Sequence, residues 1–178
     1  MAEDVLVIGG GVFGLWCARA CLEAGLAVRL VERAHPGAGA SGGPVGALTP
    51  HMPDRWGPLK ALQLAALEAL PAEVAALEAE TGVATGYCRA GRWVPLACAR
   101  AREAAPARVA AAAERWAGAQ LELLEESPDP ARLMPEAAPY GVLVDTLSAR
   151  IDPAAYVGAL CRSLMGRAEI APGRLLGI

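Results

Sequence analysis

Four consecutive apolar residues, Val5-Leu6-Val7-Ile8, begin the hydrophobic pattern of this chain. An unbroken β-branched and leucine run predicts a strand buried on both faces of a parallel sheet. The glycine-rich stretch Gly9–Gly14 follows at once, and Leu15–Ala24 then reads as a helix closed by Gly25. Ala27–Val31 predicts a second strand, ending on Glu32. After a Gly/Ala/Ser-rich stretch, Leu59–Ala79 has helical periodicity, with a break expected at Pro71. Its apolar stripe would be Leu62, Ala65, Ala66, Ala69 and Leu70, leaving Glu68, Glu73 and Glu78 mainly outside. Tyr87–Leu96 resembles a strand pair turning at Ala90-Gly91, with Pro95 near an edge. Arg100–Trp116 is an alanine-rich helix, and Leu121–Glu126 leads through Ser127-Pro128-Asp129-Pro130 into a short helix. Gly141–Asp145 reads as a strand. Asp152-Pro153 is a helix start, with Asp as N-cap and Pro at the first helical position. The helix Ala154–Met165 then returns to a strand at Ala168–Ile170. Strand, helix and strand in alternation predict an α/β architecture.

Composition narrows the function classes. At 178 residues the chain can bury one real core, with part of a second domain. Hydrophobic residues make up 54%, yet no apolar run reaches the roughly 20 residues of a spanning helix. The acidic start Met1-Ala2-Glu3-Asp4 lacks the positive region of a secretory signal, so a cytoplasmic protein is expected. A net charge of -3 predicts neither nucleic-acid nor anionic-membrane binding. Cys17, Cys21, Cys88, Cys98 and Cys161 have no metal or redox spacing, and are expected to be mostly buried thiols in a reducing compartment; no metal site is expected. One lysine stands against fifteen arginines, so arginine is the default cation and its positions carry little information.

The chemistry lies in the glycines. Gly9, Gly11 and Gly14 form G-x-G-x-x-G between the first strand and its helix. The first permits the tight turn, the second lets backbone approach a pyrophosphate, and the third lets helix pack on strand. The helix N-terminus offers N–H donors and partial positive charge to phosphates. Glu32 follows Gly14 by 18 residues, near the spacing of about 20 for an acid that accepts from ribose hydroxyls. A carboxylate there repels a 2′-phosphate, which disfavours NADP. The motif alone does not separate FAD from NAD. The loop Pro36–His51 can lie against an extended ligand, donating backbone N–H groups and the Ser41 hydroxyl.

Gly39-Ala40-Ser41-Gly42, then Gly46-Ala47-Leu48-Thr49-Pro50, after a βαβ unit ending in Glu32-Arg33, resembles the FAD-dependent amine and amino-acid oxidase family. D-amino-acid oxidase, glycine oxidase and sarcosine oxidase belong to it. Gly39–Pro50 is also similar to the oxidase domain of the bifunctional enzyme that modifies the tRNA wobble uridine. The resemblance implies an FAD-binding Rossmann-like domain with the start of an α+β substrate domain, incomplete at the C-terminus. Residues 1–58 would be the first segment of the FAD domain, 59–148 a partial substrate domain, and 149–178 the return segment. It further implies that Val12 and Phe13 bring backbone to the pyrophosphate, and that Glu32 and Arg33 flank the adenosine ribose. Ala40, Ser41 and Gly42 would meet the pyrophosphate, Val45, Gly46 and Ala47 the flavin ring, and the Leu176 backbone the adenine edge.

The activity implied is oxidation of a small amine or amino acid by hydride transfer to flavin N5, the flavin carrying the chemistry. His51 is a candidate beside the isoalloxazine, or else a histidine hydrogen-bonded at a domain junction. Arg55 and Arg92 are candidates for a substrate carboxylate, or else surface arginines. Trp16, Trp56, Trp93 and Trp116 show no stacking pattern and are expected to pack in or beside the core. Two other classes stay open: a non-catalytic nucleotide-binding or assembly subunit completed by a second polypeptide or by self-association, and an NAD-dependent dehydrogenase.

Overall fold

A computed structural model describes residues 3–116 and 118–173. The chain divides into two compact units, one of residues up to Gly46, Ala72–Tyr87 and from Ile151, the other of Ala47–Pro71 and Cys88–Arg150.

In the first unit β1 (Val5–Ile8) leads through the glycines to α1 (Val12–Glu23) and back to β2 (Val28–Glu32). The helix begins three residues before the predicted start, with Gly11 as N-cap. It ends in a Schellman arrangement: Gly25 at φ 81°, its N–H on the Leu22 carbonyl, and the Leu26 N–H on that of Cys21. After a 3₁₀ turn at Ala40–Gly42 comes β3 (Gly46–Leu48), then α2 (Pro58–Thr81), which contributes to both units. The second unit continues with β4 (Arg92–Pro95), α3 (Ala99–Arg115), β5 (Leu121–Leu124), a 3₁₀ turn at Pro135–Ala137 and β6 (Val142–Asp145). The chain returns through β7 (Ala149–Ile151), which pairs with β3, to α4 (Pro153–Leu164) and β8 (Glu169–Pro172).

The sheet of the first unit is parallel, in the order β1-β2-β8. Read from β8 toward β1, that is the 3-2-1 half of a doubly wound sheet. The α1 helix packs on β1 and β2, and α4 packs on α1. Val28, Leu30, Leu15, Ala18, Ala159, Leu160 and Leu164 are buried there. Each leucine so buried stabilises the unit by about 1.5–3 kcal/mol. As predicted, Asp152 caps α4, its Oδ1 accepting from the Ala155 N–H at 3.0 Å, with Pro153 in the first turn. The expectation for β1 fails on one face. Leu6 and Ile8 are 54% and 58% exposed, because α1 packs on one side of β1 and β2 and alternate residues of the strand face the other.

The second unit holds the antiparallel sheet β4-β6-β5. Its core gathers Leu64 and Leu67 of α2, Leu96, Ala105 and Ala112 of α3, Trp116, Leu121, Leu143 and Leu147.

Four further expectations are corrected. The α2 helix is not broken at Pro71. Proline has no N–H to give the carbonyl four residues back, and that carbonyl, Leu67 O, instead accepts from Arg89 Nη2 at 2.5 Å. The buried stripe of α2 is Leu64, Leu67, Val74 and Leu77, whereas Leu62, Ala65, Ala66 and Ala69 are exposed. This helix is apolar on both sides, so periodicity did not determine which side tertiary contacts would cover. Tyr87–Leu96 is not a hairpin: Cys88 bridges to Arg150, and β4 pairs with β6. Pro95 does lie on the edge strand of its sheet. Finally, the cysteines are free but not buried. Cys17, Cys88 and Cys98 are exposed, and Cys21 and Cys161 are half-buried. Cys17 lies off the α1 face that buries Leu15, Ala18 and Arg19.

Candidate nucleotide-binding site

The glycine-rich end of the first unit, between β1 and α1, is built from backbone. Gly9 leaves β1 at φ 103°, a conformation that a side chain disfavours. A methyl group on Gly14 would lie 1.9 Å from the Gly9 carbonyl oxygen, so only glycine lets α1 start this close to the strand. Gly11, as N-cap, provides no side-chain acceptor to the first turn of α1. The Val12 N–H instead donates to Ser41 Oγ at 3.0 Å, across 29 residues of sequence. The hydroxyl on the loop and the helix N-terminus are thus brought together.

Glu32 closes the other side. One carboxylate oxygen accepts from the Gly10 N–H at 2.7 Å and the other from the Ala34 N–H at 2.9 Å. These bonds, Ala34 first and then Gly10, hold its carboxyl below the ordinary carboxylate value, so it stays ionised. The loop beyond is tied to the glycines by the Gly37 N–H, which donates to the Gly10 carbonyl at 2.9 Å. Sequence reasoning named Glu32 for ribose but missed that it also holds the glycine turn. The middle glycine of Gly9-Gly10-Gly11 was the available signal.

The remaining predicted residues lie as follows. Phe13 and Val45 are 86% and 78% exposed. Arg33 is exposed, and Ala40, Ser41 and Gly42 form the 3₁₀ turn. Gly46 and Ala47 lie in β3, of which Ala47 counts with the second unit. Leu176 lies outside the described residues. In the second unit His51 is exposed in a loop, and the Arg55 side chain is 93% exposed. Arg92 is committed elsewhere. Its Nε donates to Asp145 Oδ2 at 3.0 Å, and Asp145, 1% exposed, also accepts from the Ser148 N–H at 2.7 Å and the Ser148 hydroxyl at 2.9 Å. No sequence signal pointed to this partner 53 residues away. Among the tryptophans, Trp116 is buried, Trp56 lies under the Arg115 guanidinium, and Trp16 donates to the Tyr156 hydroxyl at 2.7 Å.

This donor set fits a dinucleotide: backbone N–H groups and a hydroxyl where phosphates would lie, and an ionised acid at the end of β2. Residues 4–178 match the family described as FAD dependent oxidoreductase. The chain belongs to that family.

FAD is the cofactor of this family, and the relatives agree with the match. The chain is 47% identical over 58 residues to a glycine oxidase of Pseudomonas aeruginosa, an alignment covering 33% of this chain and 16% of that protein. It is 53% identical over 51 residues to the tRNA 5-methylaminomethyl-2-thiouridine biosynthesis bifunctional protein MnmC of Magnetococcus marinus, covering 28% of this chain and 8% of that protein. The fold is similar to the crystal structure of glycine oxidase from Geobacillus kaustophilus, with a TM-score of 0.82 at 20% identity over 96% of this chain. The chain spans 46% of that glycine oxidase chain. Among the described residues no helix is long and apolar enough to cross a membrane.

Proposed function

We propose that this chain holds FAD for the oxidation of a small amine or amino acid. The observation that carries this reading is the meeting of the Val12 N–H, the Ser41 hydroxyl, the Gly10 turn and the Glu32 carboxylate at the start of α1. In this reading the Val12 and Phe13 backbone, with Ala40, Ser41 and Gly42, receives the pyrophosphate. The Ser41 hydroxyl turns from the Val12 N–H to a phosphate oxygen. Glu32 accepts from ribose hydroxyls and Arg33 flanks them, while Val45, Gly46 and Ala47 line the flavin side and Leu176 the adenine edge. The exposure of Phe13 and Val45 suits residues that a ligand or further chain covers.

The chemistry FAD supplies when bound is acceptance of a hydride at N5 from the carbon bearing the amine. The protein's own work is positioning and electrostatics: an ionised Glu32 orients the adenosine end, and the glycine turn admits the phosphates without a side chain in the way. Residues 1–58 and 149–178 form the FAD-binding part in this proposal, and 59–148 the start of the substrate domain. Free thiols suit a reducing, cytoplasmic compartment. The test is anaerobic addition of glycine, sarcosine and other small amines to the FAD-loaded protein. Bleaching of the flavin band by one of them is the expected result. Bound flavin that no amine bleaches would overturn the activity and leave the second reading.

That second reading, a non-catalytic nucleotide-binding subunit completed by another polypeptide or a second copy, is favoured by exposed Leu6 and Ile8 on an uncovered sheet face. Light scattering on the purified protein distinguishes the two. A stable monomer of unchanged mass at all concentrations counts against a subunit that needs a partner.

A further inference from the structure

Two elements meet at the phosphate-binding end, the N-terminus of α1 and the loop 37–42, and both touch consecutive residues of α4. Trp16 of α1 donates from its indole nitrogen to the Tyr156 hydroxyl at 2.7 Å, across 140 residues of sequence. The next residue, Val157, is 6% exposed and lies under the loop. A methyl group on Gly37 would be 3.1 Å from Val157 Cγ1, so the isopropyl group already touches the Gly37 backbone. Gly37 in turn sets the turn that carries Ser41. A methyl group on Gly42 would lie 2.1 Å from the Gly37 carbonyl oxygen, so those two backbones are in direct contact. The α4 helix also packs against the Ala40–Gly42 turn as a whole. The result is a column running from Val157 through Gly37 and Gly42 to the Ser41 hydroxyl, which ends on the Val12 N–H at 3.0 Å.

Resting on the FAD reading above, we propose that Val157 is a positioning residue for the phosphate-binding loop, acting on FAD through Ser41 without touching it. Tyr156 holds α4 to α1, and Val157 holds the loop at the height that puts Ser41 opposite the helix N-terminus. Shortening Val157 to alanine removes the floor beneath Gly37, so the loop samples positions in which Ser41 no longer faces the phosphates. A packed contact of this kind conveys a displacement because the interior has little slack.

The test measures FAD dissociation constants, by quenching of flavin fluorescence, for wild type, V157A, V157T, S41A and the double variant V157A/S41A. Thermal melts of each without FAD run alongside. V157A is expected to bind FAD about tenfold more weakly, a change of about 1.4 kcal/mol. V157T keeps the branched shape against Gly37 and is expected to retain wild-type affinity within about twofold, although burying its hydroxyl lowers the melting temperature as well. In the S41A background the V157A effect shrinks to about twofold or less, since its route to the ligand is gone. Should V157A not fold, V157C, with one branch of the isopropyl group removed, is measured in its place. The proposal is overturned if V157A binds as wild type does, if V157T loses as much affinity as V157A, or if V157A costs the same with and without Ser41. Wild-type protein that binds no FAD would overturn the FAD reading and this inference together. Wild-type binding that Val157 does not influence would overturn the inference alone.

Discussion

The unbroken α2 helix makes a quantitative prediction about Arg89. Pro71 leaves the Leu67 carbonyl without its helical donor, and Leu67 is only 9% exposed, so water reaches that oxygen poorly. The Arg89 guanidinium fills the vacancy at 2.5 Å from a residue that is otherwise exposed. A hydrogen bond from a charged donor is worth about 1.5–3 kcal/mol net. The exposed arginine regains water when released, which places its value near the lower end. Replacing Arg89 by methionine keeps the aliphatic stem and removes the donor, and should cost about 1.5 kcal/mol. At about 2–4 °C per kcal/mol for a chain of this size, the melting temperature should fall by about 3–6 °C. The deciding measurement is a double-mutant cycle with Pro71→Ala. Alanine restores an N–H four residues beyond Leu67, so the carbonyl no longer needs the arginine. In that background R89M should cost about 0.5 kcal/mol or less, a coupling of about 1 kcal/mol by urea denaturation. Equal costs in both backgrounds, within the usual additivity error of about 0.5 kcal/mol, would refute the account of how this helix passes its proline.

Three further outcomes follow from the geometry. Gly14→Ala puts a methyl group 1.9 Å from the Gly9 carbonyl oxygen, and by forcing α1 off β1 should destabilise the protein by about 1–3 kcal/mol and abolish FAD binding, read by melting and titration. Asp145→Ala strands Arg92 and both Ser148 donors, and should cost about 3 kcal/mol, measured by urea denaturation. The pH dependence of Glu32 has a definite sign. Its carboxyl lies below the unfolded value of 4.5, so its contribution is full above that pH and is lost as pH falls through the folded value. E32Q should therefore melt below wild type at neutral pH, and the gap should close on acidification below pH 4.5.

What the sequence made legible was local. The βαβ unit could be read because its strand, glycines, capping Gly25 and terminal Glu32 fall within 28 residues from Val5, and each has a conformational reason to be there. Asp152-Pro153 was legible for the same reason, since a cap and its first turn are neighbours. What was not legible depended on distant partners. Pro71 predicts a break unless Arg89 is known to reach back 22 residues to Leu67. Arg92 looks like a free cation until the fold sets buried Asp145 opposite it. The α2 helix offers leucines on two sides, so which side is buried is decided by tertiary contacts within each of the two units to which it contributes. Within the site, Ser41 was visible as a hydroxyl in a glycine-rich loop, but Val157, which lies under that loop at Gly37, belongs to a helix more than a hundred residues later.

The central claim is that the start of α1, with Ser41 and Glu32, is built for FAD. It is tested most directly by titrating the purified protein with FAD and, separately, with NADH. FAD is predicted to bind with quenched flavin fluorescence and to raise the melting temperature, by the equivalent of about 2.7 kcal/mol at a hundredfold excess over its dissociation constant. NADH is predicted to bind far more weakly. No binding of FAD, or tighter binding of NADH than of FAD, would contradict the account.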